Sequence, residues 1–114
     1  MAYSKTAKVN GSNQEYTLRA DLKKYTLRDV GFQQTAAGNF ATELSLNPNS
    51  PYGDGFKLKI TVDKTLTGFK MAITTPNGLQ KYNIFKNDEN KDSVTQFKFI
   101  MDNMITRGVF EPIK

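Results

Sequence analysis

Arg28-Asp29 is the most suggestive polar pair in the chain. A guanidinium grips a carboxylate with two parallel hydrogen bonds, and a neighbouring carboxylate can accept from an ammonium, so the pair suits both ends of an amino acid. Two such neighbours on a surface are more commonly a local ion pair or a turn cap, and that alternative carries the greater weight. Tyr52 and Asp54 make a second donor-acceptor set, inside the turn-rich stretch 47–55. Loops on a rigid scaffold often host sites, which favours these two slightly; Gly53-Asp54-Gly55 itself lacks the spacing, the Lys-Ser/Thr pair and the following helix of a phosphate loop. Together Arg28, Asp29, Tyr52 and Asp54 are the candidate ligand-binding residues.

Catalysis finds little support. The chain has no cysteine and no histidine, so thiolate nucleophiles, disulfides and the usual base near neutral pH are all excluded. Zinc, iron and copper lose their ordinary ligands with them; a carboxylate site for magnesium or calcium stays formally open, but no metal residue is singled out and no cofactor is expected. No Gly-x-Ser-x-Gly elbow surrounds any serine. The balance lies against an enzyme without closing the question.

With 114 residues the chain suits one domain, 1–114, burying roughly two-thirds of its unfolded surface. The start carries no apolar signal core, and no run approaches the ~20 apolar residues of a membrane span. A cytoplasmic protein is the expectation. The net charge of +5 is the ordinary charge of a soluble surface more often than a polyanion site. Lys57, Lys59 and Lys70 should share one sheet face with Thr61, Ala72 and Thr74, and no aromatic stands among them for base stacking. Contact with nucleic acid should therefore be weak at most.

The elements that must position these residues are easier to read. Residues 56–62 alternate apolar and polar side chains, as a strand with one wet face does, and 69–75 repeats the pattern. Residues 79–85 are expected to return as a third strand of the meander. Residues 31–35 and 40–46 read as a hairpin, 3–9 and 14–18 as another across Asn10-Gly11. Residues 21–30 suggest a helical turn followed by a loop or short strand. A helix should open at Ser93 with the Ser-x-x-Gln capping box and close at Arg107-Gly108. Its buried stripe is Val94, Phe97, Ile100, Met101, Met104 and Ile105, an arc of about 140°. The fold class is α+β, with mostly antiparallel strands in two small sheets packed against a single C-terminal helix.

Phe99 lies almost opposite the centre of that stripe, among Thr95, Gln96, Asn103 and Thr106. Either the first strands or the Val109-Phe110 tail cover it, or it anchors an interface, most simply a two-fold homodimer.

Several segments resemble a known family. They are Leu27-Arg28-Asp29-Val30-Gly31-Phe32, Ser50-Pro51-Tyr52 with Asp54 to Ile60, Phe69-Lys70-Met71 through Thr75 with Asn77 and Gly78, Asn83-Ile84-Phe85-Lys86, and Arg107-Gly108-Val109-Phe110-Glu111. Together they are similar to a family of small uncharacterised proteins of lactic-acid bacteria and relatives, attached to amino-acid metabolism through neighbouring cysteine-desulfurase-type genes. The resemblance covers most of the chain from Leu22 onward. It implies two small sheets on one helix and transfers no catalytic residue. It also implies an accessory or metabolite-binding role in amino-acid metabolism, sulfur amino acids included, with an amino-acid-like ligand or a partner enzyme. The alternatives are a self-associating interaction module and a weak nucleic-acid binder.

Overall fold

Two curled sheets and one long helix enclose the core of this chain. The computed structural model describes residues 4–9, 14–46, 56–75, 80–86 and 91–113. In order, the elements are β1 (Thr6–Ala7), β2 (Glu15–Leu18), α1 (Lys24–Asp29), β3 (Gln33–Gln34), β4 (Phe40–Ser45), β5 (Lys57–Val62), β6 (Phe69–Thr74), a 3-10 turn (Ile84–Lys86), α2 (Lys91–Thr106) and β7 (Phe110–Ile113). One sheet runs β3-β4-β5-β6 and the other β1-β2-β7, all antiparallel. Paired backbone bonds between Ser4 and Phe69, at 2.9 and 3.2 Å, stitch β1 to β6 and join the two sheets at a seam. The α+β expectation is met.

Alternation decides which way the larger sheet faces. Leu58, Ile60 and Val62 from β5 and Phe69, Met71 and Ile73 from β6 are buried. They meet Phe97, Met101 and Met104 of α2 in one core cluster, with Val94, Ile100 and Ile105 packed against it. The stripe read from the sequence is therefore the buried face. The Phe69 and Phe110 rings lie 5.0 Å apart and tie the two sheets together inside.

Both helices stop the same way. After α2, Gly108 takes φ +86°, its N–H donates to the Ile105 carbonyl and that of Val109 to the Met104 carbonyl. This is the paired bonding of a Schellman ending, with buried Val109 and Met104 in its apolar contact. Gly31 does the same for α1 at φ +105°, with Phe32 donating to Leu27.

Four expectations need correction. Of the strand expected over 79–85, residue 79 lies outside the described residues and 80–85 do not run as a strand: one bridge, Thr74 to Lys81, is followed by the 3-10 turn. The Asn83 side chain accepts the Phe85 N–H at 2.8 Å, and this local bond bends the chain out of the sheet. Ser93 is not the start of α2, which already runs from Lys91, so Ser93 sits in its first turn. Thr74 does not face water; it is 6% exposed and its hydroxyl oxygen has no hydrogen-bond partner among the described residues. Finally, 110–113 is no tail but an edge strand on β2, where Pro112, which cannot donate to a ladder, is tolerated.

Candidate functional site

Arg28 and Asp29 are consecutive in α1, and consecutive helical residues point about 100° apart. The structure does not bring them together. Arg28 donates from Nη2 to the Gln34 side chain at 3.2 Å and lies 6.0 Å from the centre of the Phe40 ring. Gln34 donates in turn to the Gly38 carbonyl. Arg28 thus clasps α1 to the β3–β4 hairpin, while Asp29 is exposed. Tyr52 and Asp54 lie outside the described residues.

The outer face of the larger sheet carries the expected lysines, but β4 places Glu43 among them. Its carboxylate stands 3.2 Å from Lys57 Nζ and 3.6 Å from Lys59 Nζ. A hollow of about 430 Å³ lies here, lined by Gln33, Glu43, Lys59 and Thr61 among others. Its positive charge is already answered from within the face.

A larger hollow, about 540 Å³, sits at the seam where the two sheets meet. Its size falls within the usual range of small-molecule sites, ~300–1,000 Å³. From one side come Lys5, Thr17, Leu18, Arg19, Ala20 and Leu22. From the other come Thr65, Leu66 and Thr67, on the loop between β5 and β6. No single stretch of sequence holds this set, which is why reading along the chain missed it.

Arg19 is held at its backbone and along one edge of its guanidinium. Its backbone N–H donates to the Val109 carbonyl at 3.1 Å, directly after the Schellman ending. Its aliphatic stem passes over Gly108, where a side chain's first carbon would stand 3.9 Å from Arg19 Cδ. Nε and Nη2 donate to the two Asp21 oxygens at 3.0 and 3.3 Å. Nη1 is 3.9 Å from Glu111, beyond hydrogen-bonding distance. Among the described residues Nη1 therefore makes no hydrogen bond, with the Glu111 carboxylate as its ion-pair partner. Asp21's hydrogen bond, and then its charge, raise the Arg19 pKa, and the same contact lowers that of Asp21.

The opposite wall is a strained loop. Leu66 N–H donates to the Asp63 carbonyl and Asp63 N–H to the Gly68 carbonyl, at 2.8 and 2.9 Å. This turn holds Leu66 at φ +59°, the left-handed region that favours glycine. The leucine is kept there with its side chain packed on the core. Backbone strain of this kind gathers at ligand clamps, where the position of a side chain outweighs its cost.

Among the described residues, no three Asp or Glu side chains gather as a cation site requires. Nor, among those residues, is any helix long and apolar enough to cross a membrane.

Comparison with known proteins adds a family. The model of DUF1831, described as "Putative amino acid metabolism", matches residues 1–111. The crystal structure of a DUF1831 family protein from Lactobacillus plantarum superposes with a TM-score of 0.90, at 48% sequence identity, over 99% of each chain. A comparison with curated proteins gave no match.

Proposed function

The chain belongs to the DUF1831 family, and from that premise we propose that it is a non-catalytic accessory protein of cytoplasmic amino-acid metabolism that binds a small carboxylate-bearing metabolite at the sheet seam. One observation carries the reading: Arg19, its backbone tied to Val109 and its guanidinium held at Nε and Nη2 by Asp21 with Glu111 3.9 Å from Nη1, lines a hollow of about 540 Å³ together with Lys5. A pre-positioned guanidinium binds a carboxylate without first losing side-chain freedom.

The test is thermal unfolding of the wild type and of Arg19→Ala with a panel of amino acids and their acid derivatives. A ligand at 100 times its dissociation constant stabilises by about 2.7 kcal/mol. For 114 residues the unfolding entropy is about 0.24 kcal/mol/K, so the melting point should rise by about 11 °C. No shift, or a shift that survives Arg19→Ala, defeats the reading. A shift lost instead in Arg28→Ala returns the site to α1, with Asp29, Tyr52 and Asp54.

Phe99 supports a second reading, self-association. It is 67% exposed on the polar side of α2. Lys98 and Asp102 flank it with opposite charges, an arrangement that can complement itself about a two-fold axis.

A further inference from the structure

We infer that the seam hollow takes a free α-amino acid with an aliphatic side chain, its carboxylate on Arg19 and Lys5 and its ammonium on the threonine hydroxyl oxygens. This rests on the reading above that the hollow is the binding site, and it adds which ligand chemistry the hollow selects.

The argument counts hydrogens. A threonine hydroxyl has one hydrogen to give and two lone pairs to accept with. Thr65 Oγ1 gives its hydrogen to Asp63 Oδ2 at 2.9 Å. In the 2.7 Å contact between the Thr65 and Thr67 hydroxyls, Thr67 must therefore be the donor. The chain runs Thr67 to Thr65 to Asp63 and ends on a carboxylate. Thr17 Oγ1 likewise gives its hydrogen to the Lys5 carbonyl at 3.0 Å. All three hydroxyls on this lining have spent their hydrogens and retain lone pairs, so they are acceptors.

The remaining polar groups have the opposite character. Arg19 and Lys5 can only donate, and both line the same hollow. With Lys5, Arg19 and Thr17 on one side and Thr65 and Thr67 on the other, the hollow offers cationic donors and acceptor-only hydroxyls together, a set complementary to a zwitterion. A 2-oxo acid would turn its carbonyl oxygen toward lone pairs. An amine without a carboxylate would offer no acceptor to the guanidinium hydrogens that Asp21 leaves unengaged, and unpaired polar groups on either partner discriminate strongly.

The rest of the lining is apolar. Leu22 is buried, and Leu18 and Leu66 are partly buried against the core. They offer a hydrocarbon surface to the ligand's side chain, and the strained backbone at Leu66 is what brings one of them there.

Four probes test this by titration calorimetry on the wild type: leucine, 4-methyl-2-oxopentanoate, 3-methylbutylamine and glutamate. Leucine should bind at least tenfold more tightly than each of the others. In Thr67→Val its advantage over the 2-oxo acid should vanish, while Thr67→Ser, which restores the hydroxyl, should keep it. Either the 2-oxo acid or the amine binding as tightly as leucine overturns the zwitterion assignment and leaves the metabolite-binding reading standing. Glutamate binding as tightly as leucine overturns the aliphatic one. Silence from all four probes, with no shift from the wider panel, removes the reading and this inference together.

Discussion

Replacing Thr74 by valine should stabilise the protein. Thr74 ends β6, opposite Lys57 and bridged to Lys81, so its backbone is held in sheet structure on both sides. The residue is 6% exposed and its Oγ1 has no hydrogen-bond partner among the described residues. Burying a hydroxyl unpaired costs about 1–3 kcal/mol. Valine keeps the shape and the β-branched preference for a strand while removing that cost. A gain of about 1–2 kcal/mol, divided by an unfolding entropy of about 0.24 kcal/mol/K for 114 residues, raises the melting point by about 4–8 °C.

Thr74→Ser separates the hydroxyl from the methyl group. It keeps the unpaired oxygen and loses a buried methyl, so it should lower stability by about 1 kcal/mol, or about 4 °C. Scanning calorimetry measures both variants, and urea unfolding with an unchanged slope confirms that only stability has moved. A valine variant that melts below the wild type refutes the reasoning, because the hydroxyl would then be making a bond that valine breaks.

Two further outcomes follow from burial and exposure. Burial, with Asp102 as the smaller cause, raises the Tyr16 pKa above the ordinary value of 10.0. The fold then holds that proton to higher pH than the unfolded chain does, so this stability is present below about pH 10 and falls as pH rises through the folded value. Tyr16→Phe should lose less stability between neutral and strongly alkaline pH than the wild type, and a steeper alkaline loss in the variant contradicts this. Phe99→Asp should leave the stability unchanged within about 0.5 kcal/mol, since the ring is largely in water. In sedimentation the wild type should associate as concentration rises and the variant should not; a wild type that stays monomeric ends the self-association reading.

The parts of the fold that the sequence declared are those whose pattern is local. Alternation along 57–62 and 69–74, and the stripe from Val94 to Ile105, each report burial from neighbouring residues alone. Gly108 declared the end of α2 because few other residues accept φ +86°. The failures come from interactions that period counting does not include. A side-chain bond from Asn83 ends the meander early. The sequence FEPI has no alternating signature, and β7 becomes a strand only because β2, far away in the chain, supplies its ladder.

The candidate site failed for a related reason. Adjacency along the chain made Arg28-Asp29 look like one grip, yet a helix turns neighbouring side chains apart. Arg19 and Asp21, two residues apart across a turn closed by the Leu22 N–H to Arg19 carbonyl bond, do meet. The rest of the hollow is brought in by the seam: the Ser4–Phe69 bonds bring Lys5 beside the hairpin loop that carries Thr65 to Thr67. The one local signal that bears on this site is Gly108. Its left-handed turn sends Val109 back under β2, where the Val109 carbonyl receives the Arg19 N–H. The residue that ends the helix therefore also sets where the Arg19 backbone is held. That link is visible only when the backbone bond joining the two segments is known.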